Sequence, residues 1–428
     1  MSGGRKRPPR AIVVVTGSEL VRGDRSDRNG PFLARELVSL GLEPVRIVVV
    51  GDREQELEAA LGEGLGPDLC VVSGGLGPTH DDRTVETLAR VASLDLRLDQ
   101  ALEREIERVS RRIAARLRRP YADFEAGVRK QATLPEGALS LGLAGTAPGL
   151  VVRAGSSVFV VLPGPPNELR RLWQTALGSA PVLEVLERGR PPLRRVLRFF
   201  GASESSVAQA LDEAGGEREG VEATICAREF EIHVELLAIG EAEMAADGLA
   251  RDLRGRLGQY LFAEDERPIA EIVLGLCRGR DLSLAAAESC TGGLVAARLT
   301  AIAGASDVFR GGVVAYDDEV KMSALGVAPA VLERHGAVSA ETASAMAAGA
   351  QERLGADVAV AVTGIAGPGG GTPEKPVGLV HVCAAGPEGE LAEQLNLPGD
   401  REAIRGRATA VALHLVRRLL TQSRDEAA

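Results

Sequence analysis

Short apolar runs, bounded by glycine and separated by helical stretches, constrain the fold of this 428-residue chain more than any other feature. Runs at residues 11–15, 44–50 and 69–73 alternate with amphipathic stretches, and the alternation returns near residues 283–287 and 357–363. Apolar runs of about four to eight residues between helices are typical of parallel sheets covered on both faces. The sequence therefore predicts an α/β fold with two parallel-sheet domains.

The segment between these two domains has a different pattern. Residues 229–237 alternate polar and apolar side chains, which predicts a half-buried strand, and residues 242–257 show the spacing of an amphipathic helix. Ser203 is a typical N-cap for the helix that we expect at residues 205–214. This small α+β module is similar to a KH module but lacks a Gly-x-x-Gly loop with basic neighbours. We therefore expect a structural or dimerising spacer.

The domain boundaries are placed at the shifts between these patterns. The first α/β domain is predicted at residues 1–175, the KH-like α+β module at 176–264 and the second α/β domain at 265–424. The two α/β domains share no aligned repeat, so the sequence does not support an internal duplication.

The composition argues against nucleic acid and membrane partners. Lysine and arginine number 50 against 60 aspartates and glutamates, a formal net charge of −10, and a surface of that sign repels a phosphate backbone on average. The five cysteines include no CxxC pair and no Cys/His cluster with zinc-ligand spacing, so we expect reduced thiols. No stretch approaches the roughly 20 apolar residues of a membrane span. We expect a cytoplasmic protein.

Four loops at predicted strand ends concentrate glycine, hydroxyl groups and charge, and ligands of open α/β sheets bind at such ends. The first runs through residues 287–294, Ala-Glu-Ser-Cys-Thr-Gly-Gly-Leu, between a strand and a helix. Because the first amides of a helix lack intrahelical partners, they can hold a phosphate or a developing oxyanion. The candidates are Ser289, Thr291, Gly292 and Gly293. The alternative is that Ser289 and Thr291 only cap the helix.

The second candidate feature is a serine and a lysine that flank a predicted strand, Ser306 and Lys321. A lysine desolvated in a cleft can lose its proton near neutral pH and act as the general base for a serine nucleophile. The two side chains can meet only if their loops face each other. The alternative is that Lys321 is a solvated cation at the start of a helix.

The third loop is a glycine-rich ribbon at residues 362–376. It lacks the Gly-Lys-Ser/Thr ending of a P-loop and the helix start of a dinucleotide fingerprint, but its backbone amides suit the wrapping of a phosphate or a ribose. The candidate ligand-binding residues of this ribbon and of the last helix are Gly364, Gly367, Gly369, Gly370, Lys375, Arg401 and Arg405. The alternative is a glycine-rich connector.

The fourth loop, at residues 72–86, lies in the first domain. Its glycines allow a ligand to approach the backbone closely, and its acidic residues are hard oxygen ligands for a divalent ion that bridges phosphates. The candidate ligand-binding residues are Gly74, Gly75, Gly77 and Thr79, and the candidate metal ligands are Asp81, Asp82 and Glu86. The alternative is that these carboxylates only favour the N-terminal end of a helix dipole.

The second α/β domain resembles the C-terminal domain of the CinA family. The resemblance is carried by the motifs Glu288-Ser-Cys-Thr-Gly-Gly, Gly311-Gly-Val-Val-Ala-Tyr, Ala337-Val-Ser, Thr363-Gly-Ile-Ala-Gly-Pro-Gly-Gly and Lys375-Pro-Val-Gly. It implies a nicotinamide mononucleotide (NMN) deamidase, which forms nicotinate mononucleotide and ammonia in pyridine nucleotide salvage without a cofactor. It also implies a dyad of Ser306 and Lys321, supporting roles for Ser289, Tyr316 and Thr363, and a phosphate contact near Arg401.

The first α/β domain resembles the molybdopterin-binding fold of the MoaB/MogA proteins. The motifs are Gly74-Gly-Leu-Gly-Pro-Thr, Gly145-Thr-Ala-Pro-Gly and Leu162-Pro-Gly-Pro-Pro-Asn-Glu-Leu. In the CinA family this domain is associated with metal-dependent ADP-ribose pyrophosphatase activity, so the resemblance implies a divalent metal ion. The chain departs from the family pattern at Asp27-Arg28-Asn29 and at Gly142-Leu143, near the expected cleft. These departures favour the deamidase over the pyrophosphatase.

The family resemblance implies small nucleotides as substrates and a homodimer as the assembly. One alternative is a molybdopterin- or nucleotide-binding accessory protein without hydrolase activity. Another is a DNA-uptake partner, which the net charge disfavours. Within the deamidase, Cys290 offers a rival thiol nucleophile, which we disfavour because cysteines in such turns are often inert packing.

Overall fold

The computed structural model describes residues 7–216, 218–239 and 242–425. The chain divides into two compact units: unit 1 comprises residues up to 193 together with 238–243, and unit 2 comprises residues 194–237 together with 244 onward. Within the described residues, unit 1 holds a six-stranded and a two-stranded sheet, and unit 2 holds a four-stranded and a five-stranded sheet.

Unit 1 alternates strands and helices over its first half and then adds a run of strands. Its elements are β1 (Arg10–Thr16), α1 (Ser18–Val21), α2 (Asn29–Ser39), β2 (Glu43–Val50), α3 (Glu54–Glu63), β3 (Leu69–Ser73), α4 (Thr84–Val91), β4 (Leu96–Leu98), α5 (Gln100–Leu117), α6 (Ala122–Gln131), β5 (Thr133–Pro135), β6 (Leu139–Leu143), β7 (Pro148–Ala154), β8 (Ser157–Leu162), α7 (Pro166–Leu177) and α8 (Ala180–Leu186). The predicted boundary at residue 175 therefore falls inside α7.

The large sheet of unit 1 has the order β2-β1-β3-β8-β7-β6. β1 pairs in parallel with β2 and β3, and β3 pairs in parallel with β8, which confirms the predicted parallel sheet. β7 and β6 are antiparallel to their neighbours. The sequence analysis did not anticipate this antiparallel edge, which arises because a tight turn at Gly155 (φ +62°) reverses the chain between β7 and β8.

The central strands of unit 1 are buried on both faces, as their apolar composition predicts. Residues 11–15 and 69–72 each have at most 2% of their surface exposed. The indole of Trp173 in α7 is fully buried, and its N–H donates to Glu36 Oε2 in α2 at 3.1 Å. Burial of apolar surface stabilises the folded state by roughly 25 cal/mol per Å². The sheet is therefore well packed where the loop after β3 begins.

Unit 2 begins with the KH-like module and continues into the second α/β domain. Its elements are β9 (Leu193–Phe199), α9 (Glu204–Glu213), β10 (Val221–Arg228), β11 (Glu231–Ala238), α10 (Glu243–Leu257), β12 (Leu261–Ala263), α11 (Ile269–Arg278), β13 (Leu284–Glu288), α12 (Leu294–Thr300), a 3-10 turn (Ala305–Asp307), β14 (Phe309–Val314), α13 (Asp318–Leu325), α14 (Pro329–His335), α15 (Ala340–Leu354), β15 (Val358–Gly364), β16 (Leu379–Gly386), β17 (Gly389–Asn396) and α16 (Arg401–Asp425).

The first module of unit 2 is the small α+β unit that the sequence predicts. Its sheet has the order β10-β11-β9-β12 and is accompanied by α9 and α10. Ser203 caps α9 by accepting a hydrogen bond from the Ser206 amide at 3.1 Å, as expected.

A buried ionic cluster joins this module to the last helix of unit 2. The Glu231 carboxylate, 4% exposed, accepts from the Arg198 guanidinium at 2.5 Å and lies 3.0 Å from the Nε2 atoms of both His233 and His414. Phe200 stacks on the His414 ring with centroids 3.7 Å apart. Because breaking a buried ion pair leaves an uncompensated charge, this contact favours one fixed arrangement of module and helix.

The five-stranded sheet of unit 2 has the order β14-β13-β15-β16-β17. β13 is parallel to β14 and β15, whereas β16 and β17 are antiparallel. Residues of α11, α12 and α16 fill the core on one face, and residues of α13 and α15 fill the core on the other. The carboxyl ends of β13, β14 and β15 consequently meet at one edge of the sheet.

Several elements of this domain agree with the sequence patterns. Its buried strands β13 and β15 coincide closely with the apolar runs at residues 283–287 and 357–363, and Ser339 caps α15 by accepting from the Thr342 amide at 3.1 Å. β17 was not predicted, because its alternation of exposed and half-exposed side chains carries little apolar signal. No helix in the described part of the chain is long and apolar enough to cross a membrane.

Candidate functional site

Predicted site residues gather where the parallel strands of unit 2 end. Ser289 directly follows β13, Tyr316 lies two residues after β14, and Lys321 lies in α13 just beyond. Thr363 is the penultimate residue of β15. The topology therefore brings four of the five predicted catalytic residues to the carboxyl edge of one sheet.

Two of these side chains also share one face of the sheet. Ala287 of β13 and Ala361 of β15 pack into the core cluster on the side of α13 and α15. Because strand side chains alternate, Ser289 and Thr363, each two residues further on, fall on that same side. α13, which carries Lys321, packs on this side as well, through Val320 and Leu325.

Glu288 occupies the helix start that the sequence analysis assigned to a ligand. It is 1% exposed, and its carboxylate accepts hydrogen bonds from the amides of Gly293, Val295 and Ala296 at 2.9–3.0 Å. The expectation that this helix start offers unpaired amides to a phosphate or oxyanion is therefore not met, because a buried carboxylate of the same loop already binds them.

The other predicted site residues of the loop at residues 287–294 form the turn between β13 and α12. Gly292 (φ +59°) and Gly293 (φ +96°) adopt left-handed conformations, and the Gly292 amide donates to the Ser289 carbonyl at 3.1 Å. Neither Ser289 nor Thr291 caps α12, so the capping alternative is wrong as well. Thr291 is fully buried, and its hydroxyl has no hydrogen-bond partner among the described residues.

Lys321 is one of the largest fully buried side chains, with 1% of its surface exposed. Its Nζ lies 3.2 Å from Asp318 Oδ1 and 3.4 Å from the Tyr316 carbonyl oxygen. The alternative of a solvated cation at the helix start is therefore wrong. The amine is therefore held inside the protein at this sheet edge, with the Asp318 carboxylate and the Tyr316 carbonyl as its partners.

The structure does not bring Ser306 to Lys321 within one chain. Ser306 is exposed in the 3-10 turn before β14, whereas Lys321 follows the other end of that strand. A six-residue strand spans roughly 20 Å. The prediction that these two side chains converge is corrected accordingly, because α12 carries the chain back to the amino-terminal edge of the sheet, as right-handed crossovers do.

The glycine-rich ribbon after β15 is held by packing as well as by its own flexibility. The Thr363 hydroxyl donates to the Ala337 carbonyl at 2.6 Å. A Cβ on Gly364 would lie 2.7 Å from the Leu379 carbonyl oxygen, and one on Gly367 (φ +75°) would lie 2.6 Å from Val377. These two glycines are required by their neighbours, whatever else they do.

The two later glycines of the ribbon have more space. A Cβ on Gly369 would meet no atom within 4 Å, and Gly370 has a left-handed φ of +84°. A ligand-binding role for the ribbon therefore remains a prediction that concerns Gly369 and Gly370 rather than Gly364 and Gly367.

The predicted phosphate-binding cations tie loops together at this edge. Lys375 Nζ donates to the carbonyls of residues 335 and 338 at 2.8 and 2.7 Å. Arg401 donates to the Gly367 carbonyl at 2.6 Å and to the Tyr316 hydroxyl at 2.8 Å. Arg405 donates to the carbonyls of Cys290 and Thr291 at 3.1 and 2.8 Å. These contacts place three positive charges around the ends of β13 and β15.

Cys290 is buried, with 5% of its surface exposed. Burial raises the pKa of its thiol to about 12. The thiolate is the reactive form of cysteine, so a buried thiol of this kind is inert near neutral pH. The structure therefore agrees with the preference for a hydroxyl over the rival thiol.

The glycine-rich loop of unit 1 folds around its own acidic residues. A Cβ on Gly75 (φ +66°) would collide with Thr84, and one on Gly77 would collide with Asp82. A Cβ on Gly74 (φ +108°) would lie 2.7 Å from the carbonyl oxygen of residue 16. These glycines therefore let the loop fold tightly on itself.

Thr79 holds both aspartates of this loop. Its amide donates to Asp82 Oδ2 at 3.0 Å, its hydroxyl reaches the same oxygen at 2.5 Å, and the hydroxyl also contacts Asp81. The bond from Thr79 lowers the pKa of the Asp81 carboxyl. Lys130 Nζ contacts the Thr79 carbonyl. The predicted ligand-binding residue Thr79 thus serves as the centre of an internal loop network.

The three predicted metal ligands do not form one cluster. Asp81 and Asp82 line a cavity of about 340 Å³ beside the glycines, whereas Asp82 and Glu86 line a neighbouring cavity of about 360 Å³ that Asp81 does not reach. Among the described residues, no group of three or more His, Cys, Asp or Glu side chains is arranged to hold a metal ion. The arrangement of the described residues therefore does not fit a metal ion held by Asp81, Asp82 and Glu86 together.

Three further acids face the cavity that Asp81 and Asp82 line, and the sequence analysis missed them: Glu19, Asp52 and Glu168. Burial raises the pKa of Glu168. Asp52 accepts hydrogen bonds from the Ser18 amide and hydroxyl at 3.0 and 2.6 Å. The cavity is therefore strongly acidic.

The departures from the family pattern stand where the sequence analysis expected them, beside this sheet edge. Asp27 Oδ1 accepts from the amides of Asn29 and Gly30 at 2.8 and 3.0 Å. The Asn29 amide group donates to Ser73 Oγ at 2.9 Å and to the Gly164 carbonyl at 2.7 Å. Asp27 thus starts α2, and Asn29 joins three loops of unit 1.

Comparison with known proteins places the chain in a family. Models of the "CinA C-terminal domain", the "Damage-inducible protein CinA KH domain" and the "Probable molybdopterin binding domain" match residues 266–420, 194–263 and 12–184. The fold and these matches define an α/β protein of three family segments. The chain belongs to the CinA family.

The relatives cover nearly the whole chain. A CinA-like protein of Mycolicibacterium paratuberculosis is 45% identical over 433 residues, which covers 97% of this chain and 99% of that protein. A CinA-like protein of Mycobacterium tuberculosis H37Rv is 45% identical over 423 residues, covering 96% and 97%. The crystal structure of the competence/damage inducible protein CihA from Agrobacterium tumefaciens is 44% identical with a TM-score of 0.35, covering 35% of this chain and 93% of that one.

Two residues of unit 2 that matter to this edge received no role in the sequence analysis, although both left a signal. Glu288 ends a strand directly before a glycine-rich helix start, the place where a carboxylate can bind helix amides. Asp318 stands three residues before Lys321 on a helix, the spacing of an ion pair.

Proposed function

We propose that unit 2 hydrolyses the carboxamide of NMN to give nicotinate mononucleotide and ammonia. The observation that carries this proposal is the buried Lys321 amine at a sheet edge that also gathers the hydroxyls of Ser289, Tyr316 and Thr363 and three cationic side chains. An anionic mononucleotide suits such an edge, and the reaction requires no metal or cofactor.

The chemistry needs one hydroxyl nucleophile and one base. As the oxygen of a serine hydroxyl at this edge bonds to the carboxamide carbon, its proton passes to the Lys321 amine, which acts as the base. The carbon–nitrogen bond then breaks, and the proton moves from Lys321 to the departing ammonia. Water next attacks the acyl ester, which releases the carboxylic acid and restores the serine hydroxyl. Each step uses Lys321 once as a base or an acid.

The cationic side chains of this edge and the glycine-rich ribbon at residues 362–376 are proposed to bind the substrate. Arg401 still has guanidinium donors beyond its bonds to Gly367 and Tyr316, and guanidinium groups match phosphate oxygens in geometry. Gly369 and Gly370 offer backbone amides with open space beside them. Because the phosphate supplies binding energy away from the reacting carbon, we expect the dephosphorylated riboside to be a poor substrate.

The test is product identification with the full chain. NMN is incubated with the protein in EDTA, and ammonia and nicotinate mononucleotide are measured by mass and by enzymatic ammonia assay. Release of both products that is lost in Lys321→Met supports the proposal. The same assay with ADP-ribose, with and without Mg²⁺, tests the pyrophosphatase that the family resemblance implies for unit 1.

The matched control is Arg46→Ala, which removes an exposed charge of unit 1 paired only with Glu63 in the surface contacts described. It should leave ammonia release unchanged. Absence of NMN turnover by the wild-type chain, with correct folding shown by circular dichroism, would refute the proposed activity.

A further inference from the structure

Helix α5 of unit 1 changes in charge along its length. Its first turns interleave glutamate and arginine at residues 103–108, but residues 108–122 contain no aspartate or glutamate. The exposed arginines of this second stretch are Arg108, Arg111, Arg112, Arg116, Arg118 and Arg119. These residues are called the arginine face below.

Most of the arginine face has no acidic partner. Arg111 pairs with Glu107 at 2.6 Å, and its guanidinium lies 3.9 Å from the centroid of the Tyr121 ring. No described residue forms an ion pair with any other arginine of this face. By contrast, the exposed Arg22 and Arg46 of the same unit each pair with a carboxylate. Uncompensated positive charge therefore accumulates at the end of α5.

Three of these arginines stand in a row. Arg108, Arg112 and Arg116 follow one another at intervals of four residues, so they lie on one side of α5, about 6 Å apart along its axis. Like charges at this spacing destabilise a helix. The helix dipole favours cations only in the last turn, so it does not account for Arg108 or Arg112. The row is better explained by an anionic partner than by the stability of the helix.

The protein core occupies the opposite side of α5. Leu102 and Ile106 are buried in the apolar core of unit 1, and Ala114 is buried as well. A helix that lies on a membrane instead places its apolar side between the lipids. Among the large apolar side chains of α5, Leu117 is exposed. The arginine face therefore offers charge with little apolar surface, and a second copy of the same face would set like charges together.

We infer that the arginine face binds the phosphate backbone of a nucleic acid duplex without reading its sequence. Guanidinium groups match phosphate oxygens in geometry. The row from Arg108 to Arg116 is about 12 Å long, which spans roughly four phosphates of one strand at about 3.4 Å each. Proteins that bind single strands stack bases on aromatic rings, whereas Arg111 lies over the ring of Tyr121. A duplex is therefore the partner that this face fits.

The overall charge of the chain is compatible with this inference. The net charge of −10 disfavours a nucleic acid over the average surface. Sequence-independent binding needs only a local basic surface, and the arginine face is such a surface. The inference concerns unit 1 and does not depend on the deamidase proposed for unit 2.

Titration of a labelled DNA duplex with the full chain tests the inference. A duplex of about 30 base pairs is titrated at several salt concentrations from about 50 mM upward, and binding is followed by fluorescence anisotropy. The triple variant Arg108→Gln, Arg112→Gln and Arg116→Gln should weaken the affinity at least about tenfold. The slope of log affinity against log salt should fall in magnitude by about two to three, because each phosphate contact contributes about 0.9.

The matched control removes the same number of positive charges elsewhere on unit 1. Arg22→Gln, Arg46→Gln and Arg153→Gln replace exposed arginines that pair with carboxylates. This triple variant should keep the affinity for the duplex within about threefold of the wild type. The same loss of affinity in both triple variants, or no binding by the wild type at about 50 mM salt, would overturn the inference.

Two other polyanions distinguish the class of partner. Vesicles of phosphatidylglycerol and phosphatidylcholine are sedimented with the protein, and polyglutamate is added as a competitor of the labelled duplex. Weaker binding to both than to the duplex, at equal concentrations of anionic groups, supports the inference. Vesicles or polyglutamate bound as tightly as the duplex would overturn it and would assign the arginine face to a membrane or to an acidic protein.

Folding and charge are checked on the same row of residues. The glutamine triple variant should unfold in urea with a free energy no lower than that of the wild type, because the exchange relieves repulsion between like charges. Arg108→Lys, Arg112→Lys and Arg116→Lys together keep the charge and should keep most of the salt dependence. A lysine triple variant that binds the duplex as weakly as the glutamine triple variant would contradict binding through phosphate neutralisation.

Discussion

The two α/β sheets of this chain end in similar glycine-rich loops but collect opposite charges. At the edge of the five-stranded sheet, Lys375, Arg401 and Arg405 lie near hydroxyl groups. At the edge of the six-stranded sheet, acids line the cavity: Glu19, Asp52, Asp81, Asp82 and Glu168. The first edge can receive an anionic nucleotide directly, whereas the second repels one unless a cation intervenes.

The loop carboxylates of the two sheets also differ in burial. Glu288 is 1% exposed and binds three helix amides, whereas Asp82 lies in an exposed loop and binds Thr79. Similar glycine-rich sequences thus hide one carboxylate and leave the other facing a cavity. The difference teaches that a glycine-rich strand end does not by itself decide whether the carboxylate of its loop is buried or exposed.

The largest expected effect concerns the cationic edge. Lys321→Met keeps most of the buried volume and removes the base, so we expect ammonia release from NMN to fall by about 10²–10⁴-fold. Because burying a polar amine is costly, the fold should be at least as stable as that of the wild type. Steady-state ammonia assays and thermal unfolding measure the two quantities. A Lys321→Met protein that retains a tenth of the activity would contradict the comparison.

The next effect separates the two carboxylates. Glu288→Gln replaces an acceptor of three amide bonds at a buried site and should lower the free energy of unfolding by about 3 kcal/mol. Asp82→Asn alters an exposed loop and should cost about 1 kcal/mol or less. Urea unfolding followed by circular dichroism measures both. Equal losses of unfolding free energy in the two variants would show that the difference in burial between Glu288 and Asp82 does not affect stability.

Acid should weaken unit 2 through its buried cluster, which has no counterpart among the ion pairs described in unit 1. Burial lowers the pKa of His414 from 6.5 to about 4, despite the opposing bond from Glu231. Burial alone would raise the pKa of Glu231, but bonds from His233, His414 and Arg198 outweigh it and hold that pKa well below its usual range.

The direction of the pH effect on stability follows from the lowered pKa of His414. Between pH 6.5 and 4 the unfolded chain binds a proton at His414 that native unit 2 does not. The free energy of unfolding therefore falls as the pH falls through this window, by about 3 kcal/mol in all. His414→Gln, which keeps an N–H donor but does not titrate there, should flatten this slope in urea titrations at several pH values. His335→Gln is the half-exposed control, and the same flattening there would contradict the assignment.

The smallest effect is expected at Cys290. Since burial raises the pKa of its thiol to about 12, iodoacetamide at neutral pH should leave it unmodified, and Cys290→Ala should keep NMN turnover within about twofold of the wild type. Peptide mass mapping and the ammonia assay check both. Rapid alkylation of Cys290 with loss of activity would instead support its thiol as the nucleophile.

The sequence was informative where local chemistry decides the outcome. Apolar runs predicted the buried strands, and Ser203 predicted a helix start that the structure confirms. The loops were found because glycine marks strand ends. Local patterns could not tell that Glu288 turns back onto α12, since that depends on how the helix folds over the strand.

The separation of Ser306 from Lys321 shows the second limit of the sequence. Both stand in loops beside β14, and only the crossover of α12 decides which edge of the sheet each loop occupies. For a related reason, the sequence could not tell which acids of the unit 1 loop share a cavity: Glu86, in the first turn of α4, shares one with Asp82, whereas Asp81 shares another with Asp82.

The stacking of Phe200 on His414 also decides where this protein can be cut. A fragment that begins at residue 265 keeps α16 but lacks Phe200, Phe262 and the Glu231 carboxylate, which all contact the His414 ring in the full chain. Such a fragment would expose an imidazole and apolar surface to solvent. We therefore expect the smallest part of unit 2 that folds on its own to begin before β9 and to include the KH-like module.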